Sequence, residues 1–166
     1  MELQLKRLSG ESVQAALQKA ERYRDLNQPE ETESICRDIL AVSDAHQGAL
    51  RILGLALTDQ FPTAWSRLFS EAQAVFARLS DPYERVYYEG VAWERAAKRH
   101  VAHGEWHNAG MSFQHALGCY AQAEKLGGTK PDPVLRWNRC VRMVTGDPRL
   151  REALAQNAEE GFAFGD

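Results

Sequence analysis

Apolar residues along this chain return at intervals of three and four. Ile35, Ile39 and Leu40 form one such run, and Leu68, Ala72, Val75, Phe76 and Leu79 form another. That spacing lays one apolar stripe along a helix and predicts amphipathic helices, each with one buried face. No stretch alternates polar and apolar residues for long enough to predict a strand. Breaks fall at Asn27-Gln28-Pro29, Ser43-Asp44, Gln60-Phe61-Pro62, Ser80-Asp81-Pro82, His103-Gly104, Gly127 to Pro133 and Gly146-Asp147-Pro148. They divide the chain into about seven to eight helices. At Asp81-Pro82, Asp132-Pro133 and Asp147-Pro148 an aspartate precedes a proline suited to a first helical turn, so these aspartates are expected to cap helices rather than to catalyse.

Composition sharpens the all-α reading. The chain has 166 residues, enough for one domain or one short repeat array with a core of its own. Ala and Leu together number 40, against 17 for Val, Ile and Thr, which favours residues that lose little rotamer freedom in a helix. Hydrophobic residues at 44% exclude general disorder, and a formal net charge of -3 argues against nucleic acid as a partner. The N-terminal residues lack the uninterrupted apolar run of a signal peptide or membrane anchor. Cys36, Cys119 and Cys140 are odd in number and widely spaced, which fits reduced thiols in a cytoplasm and suggests neither a disulfide framework nor a thiolate metal knuckle. No membrane association is expected.

Helices of similar length joined by short turns form either a bundle or a stacked array, and a repeat separates the two. Lys19-Ala20 with Tyr23 lies 34 residues before Leu53-Gly54 with Leu57, and 36 residues further on comes Glu89-Gly90 with Trp93. Each places a small residue, then a large one three positions later. The second halves also correspond. Cys36, Ile39 and Leu40 follow the first motif at the internal spacing with which Phe113, Ala116 and Leu117 follow the third.

At these residues the chain resembles the tetratricopeptide repeat family, whose unit is a pair of helices nested through small side chains. The stretch from Gly104 to Leu117, with Ala109, Phe113 and Ala116, carries most of the likeness. The resemblance implies a right-handed α-solenoid of antiparallel helix pairs in a single domain over residues 1–160. Its units fall at about 13–44, 45–80 and 82–126, with a capping pair at 131–160 and a frayed tail at 161–166. The step from Gly90 to Gly104 is seven residues longer than the family repeat, which predicts a third pair elongated by about two turns. Such a pair would build a taller groove wall or a surface for a second copy of the chain.

The same resemblance implies a non-enzymatic scaffold that binds a peptide or protein segment in a concave groove, without a cofactor. By register the groove would be lined by Gln14, Leu17, Glu21 and Arg24, then Arg51, Leu55 and Thr58, then Tyr87, Val91, Glu94 and Arg95. The family's clamp for a chaperone's terminal carboxylate needs lysine and asparagine where this chain has Leu17 and Glu21, so that partner is not implied.

Other constellations offer different chemistry. His100, His103 and His107 would share a face on one continuous helix and suit zinc or nickel, which makes a small metal-binding protein the alternative. Gly104 is expected to break that helix, and the macrodipole explains cationic side chains at a helix C-terminus without a metal. His115 and Cys119 lie one turn apart, a spacing open to a base and nucleophile, although Cys119 also reads as a small hydrophobe beside Tyr120. Arg95, Lys98 and Arg99, and separately Arg136, Arg139 and Arg142, form basic sets that are either solvated faces or anion-holding surfaces converging on one groove. Trp93 and Trp106 occupy aromatic places of the repeat and are expected in the core. Trp65 and Trp137 have no assigned place. Motifs for phosphate loops, dinucleotide folds and serine elbows are absent.

Overall fold

The computed structural model describes the backbone of residues 3–62 and 65–163, and the side chains of these residues as far as 157. Among them the regular structure is entirely helical. One 3-10 turn, Gly10–Ser12, precedes eight α-helices: α1 (Val13–Asp25), α2 (Pro29–Val42), α3 (Gln47–Asp59), α4 (Trp65–Ala77), α5 (Pro82–Ala102), α6 (Trp106–Gly127), α7 (Asp132–Gly146) and α8 (Pro148–Ala163). The chain divides into two compact units, the first ending at Ser80 and the second starting at Asp81.

In the first unit each helix packs on the next, and α1 also reaches α3. This arrangement of neighbour and next-but-one contacts is that of stacked helix pairs. Ala20, Cys36, Ile39, Leu50, Leu57, Leu68 and Phe76 form its core. Gly54 on α3 faces the Phe76 ring of α4 so closely that a Cβ there would lie 2.2 Å from it. The small residue of the repeat is therefore a packing requirement. Ion pairs tie the helices at their surfaces: Arg24 Nε donates to Asp59 Oδ2 at 3.0 Å, and Arg37 bridges Glu33 and Glu71.

The second unit is built around a long hairpin. α5 has 21 residues and α6 has 22, against 13 each for α1 and α3, so the third pair is elongated as its spacing predicts. Ala92, Ala96, Ala109, Phe113, Ala116 and Tyr120 are buried along it. Gly90 meets the Tyr120 ring, where a Cβ would stand 2.8 Å away. α6 is covered by both α7 and α8, which touch one another less. Gly110 admits α8, since a Cβ on it would come within 3.0 Å of the Ala153 Cβ.

Two of the three expected caps form. Asp81 Oδ1 accepts from the Tyr83 amide and Asp147 Oδ1 from the Arg149 amide, each at 2.9 Å. Asp132 does not cap: Pro131 holds the N-cap position, and Asp132 lies inside the first turn of α7. Gly104 breaks the helix as expected, with φ +71° between α5 and α6. α8 is helical to Ala163, whereas residues 164–166 of the expected frayed tail lie outside the described residues. No helix among the described residues is long and apolar enough to cross a membrane.

Candidate functional site

On α5, Tyr83, Tyr87, Val91, Glu94 and Lys98 follow one another at steps of three and four, so they share one face. The middle of that face is turned inward. Val91 and Glu94, placed by register on a groove surface, are both buried. α6 packs along α5, and for Glu94 polar partners come from both α6 and α7.

Glu94 has no exposed surface. Its Oε1 accepts from Lys98 Nζ one turn along α5, and its Oε2 accepts from the Tyr120 hydroxyl of α6 at 2.7 Å. Arg136 of α7 stands with Nη1 at 3.4 Å from both oxygens. One carboxylate therefore joins three helices. Burial alone would raise its pKa, but the hydrogen bonds from Lys98 and Tyr120 and the positive charges of Lys98 and Arg136 hold it below the ordinary carboxylate range. Burial next to this anion pushes the Tyr120 hydroxyl far above its usual range, which keeps it protonated as a donor. The charge of Glu94 outweighs the effect of burial on Arg136, which also hydrogen-bonds Tyr87 and stays cationic.

An aromatic wall continues along α5. Tyr83 and Tyr87 stack at 5.7 Å, Tyr87 meets Tyr120 at 5.9 Å, and Lys130 Nζ lies 3.8 Å above the Tyr83 ring. Tyr87 keeps part of its surface exposed and is the groove candidate of this unit whose aromatic ring remains accessible. Arg95 is half-buried.

The groove candidates of the first unit are less enclosed. Leu17, Arg24, Arg51 and Leu55 are half-buried and Glu21 is exposed, while Arg24 is engaged by Asp59. Gln14 is exposed and Thr58 buried, the latter donating to the Leu55 carbonyl. A surface pocket of about 290 Å³ is lined by Lys19, Arg22 and Tyr23 of α1 and by Leu26 just after it, none of them buried.

The three histidines do not converge. His100 is buried and its Nδ1 meets the Glu105 carboxylate across the turn; Arg99 donates to the same oxygen at 2.7 Å. His103 Nδ1 bonds the Arg99 carbonyl at 2.8 Å, and His107 is exposed on the following helix. Among the described residues no group of three or more His, Cys, Asp or Glu side chains is placed to hold a metal ion. The turn at Gly104 removes the shared face that the metal reading requires.

The nucleophile reading of Cys119 has no geometry behind it. Burial pushes the Cys36, Cys119 and Cys140 thiols up to about 12, away from thiolate character. His115 stacks instead on Trp93, with centroids 4.5 Å apart. Trp93 and Trp106 are half-buried rather than enclosed, and Arg149 lies over the Trp106 ring at 3.9 Å. Trp65 packs edge-on against Phe61 at 5.2 Å, and Trp137 remains 38% exposed on α7.

In the sequence Lys98 and Arg136 belong to two separate basic sets. The structure brings both to Glu94. Tyr120, which donates to the same carboxylate, stands out in the sequence only as a neighbour of Cys119, because what joins it to Glu94 is a tertiary contact 26 residues away. No family model, no curated protein and no solved structure matches this chain.

Proposed function

We propose that this chain is a non-enzymatic protein-interaction module of tetratricopeptide-like helix pairs, with a segment of another protein as its ligand. The supporting observation is a recurrence in register. Three residues before the small residue of each pair stand Leu17, Arg51 and Tyr87, preceding Ala20, Gly54 and Gly90. The small residues are buried, and the large side chains three positions earlier are all half-exposed. A nested pair needs the first feature for packing. The second leaves part of each large side chain open to solvent and suits contact with an extended or helical peptide.

The test is an array of end-blocked peptides of about 15 residues, long enough to follow the first helices of one unit. The chain is expected to select a reproducible subset. Leu17→Glu and Tyr87→Ala, each shown by melting to be folded, are expected to weaken the best binders about tenfold, the usual effect of removing an apolar anchor. A chain that binds no peptide above background defeats the proposal.

A further inference from the structure

Two cations of the second unit meet one buried acid. Lys98 and Arg136 both face Glu94, so the trio carries one positive charge in excess. The two cations keep 38% and 37% of their side chains exposed, and their charge reaches solvent. Arg139, nearly one turn beyond Arg136, adds to it. Arg139 follows Arg136 by three residues on α7, next to the buried Cys140.

The excess continues along α7. Leu135, Arg139 and Arg142 fall at i, i+4 and i+7 on one stripe, with both arginines exposed and Leu135 63% exposed. Neither arginine makes an ion pair among the described residues. On α7 itself Asp132 lies in the first turn, and Asp147 at its end is taken by Arg149. The stripe is thus basic with an apolar member, on a chain whose formal net charge is -3. A local cationic patch on an acidic protein is poorly suited to a long polyanion and well suited to a short acidic segment.

We infer that α7, with Lys98 of α5 beside it, docks an internal acidic stretch of a partner protein, whose side-chain carboxylates meet Arg139 and Arg142 while an apolar residue covers Leu135. Arg139 and Arg142 are about 4.5 Å apart along the helix axis, so two carboxylates of one segment reach them together. This inference rests on the protein-interaction reading and adds to it the chemistry of the partner.

The experiment uses the full chain and fluorescence anisotropy, with end-blocked peptides containing Glu and Asp around a leucine as probes, and their Gln and Asn counterparts for comparison. The acidic peptides are expected to bind at least about tenfold more tightly, and to weaken on raising salt from about 50 to about 300 mM. Arg139→Glu with Arg142→Glu removes that preference, while a charge-matched change elsewhere in the unit, Lys125→Glu with Arg151→Glu, leaves it. Arg139→Gln with Arg142→Gln stands in if the reversal lowers the melting temperature. Equal binding of acidic and amide peptides, equal loss in both double variants, or tighter binding of a single-stranded oligonucleotide overturns the inference and leaves the module reading standing. Failure to bind peptides of any composition removes both.

Discussion

Whether a glycine in these helices is a requirement or a liability depends on what stands within 4 Å of it. Gly54 faces the Phe76 ring at 2.2 Å from an added Cβ, whereas Gly118 on α6 has nothing within that distance. In an open helical position alanine gains about 0.5–1 kcal/mol over glycine, whereas overpacking a core costs about 1–3 kcal/mol. Gly118→Ala is therefore expected to raise the melting temperature and Gly54→Ala to lower it, the pair measured side by side by thermal denaturation. Glu94 is subject to a different balance. Removing it strands Lys98 and Arg136 and takes the acceptor from Tyr120, so Glu94→Ala is expected to cost about 3 kcal/mol in urea denaturation and Tyr120→Phe about 1 kcal/mol. Because the folded carboxyl titrates below its ordinary range, its contribution is complete above the unfolded pKa of about 4.3 and is lost as the pH falls through the lower folded value. The stability of Glu94→Gln is accordingly expected to fall less steeply on acidification than that of the wild type. The helical step of Tyr83, Tyr87, Val91, Glu94 and Lys98 was legible in the sequence. That Glu94 points into the fold was not, because Arg136 arrives from 42 residues away.

At the scale of elements, the sequence is legible where the chemistry is local. Asp81 and Asp147 cap, and Gly104 turns the chain with a positive φ that other residues rarely adopt. Asp132 fails as a cap because the chain enters α7 one residue earlier, at Pro131. The α5–α6 turn has a second device that spacing alone concealed. His100 and Arg99 at the end of α5 both reach Glu105 at the start of α6, closing the hairpin. The hydrogen bond from His100 and the charge of Arg99 hold the Glu105 carboxyl below its ordinary range. Glu105→Gln is expected to speed amide hydrogen exchange over the first turn of α6 at neutral pH. The sign with pH follows from the direction of the shift: the wild-type advantage is present above about pH 4.3 and disappears below the folded value, where Glu105 is itself neutral. An exchange rate unchanged at neutral pH would show that Arg99 and His100 hold the turn without it.

At the scale of the whole molecule, periodicity carried the fold class, because a helix that buries one face through small side chains must repeat them in register. Ala20, Gly54 and Gly90 stand where that reasoning puts them, and each is buried. The repeat could not reveal how the last helices are used, since Gly110 looks like any small residue until Ala153 is seen against it. Each compact unit has its own core: Leu50, Leu57, Leu68 and Phe76 in the first, Val91, Phe113, Ala116 and Tyr120 in the second. In the second unit the long α5–α6 hairpin is closed on one side by the Glu94 network and on another by α8 against Gly110. Residues 81–166 produced alone are therefore expected to be helical by circular dichroism and to melt cooperatively. Glu94→Ala is expected to lower the melting temperature of the fragment sharply, because a unit of this size has a margin of only about 5 kcal/mol and a loss of about 3 kcal/mol leaves about 2 kcal/mol. A fragment that is helical but melts without a transition would mean that the hairpin, for all its length, lacks a core sufficient to order it, and the network around Glu94 would then have no independent structure to hold together.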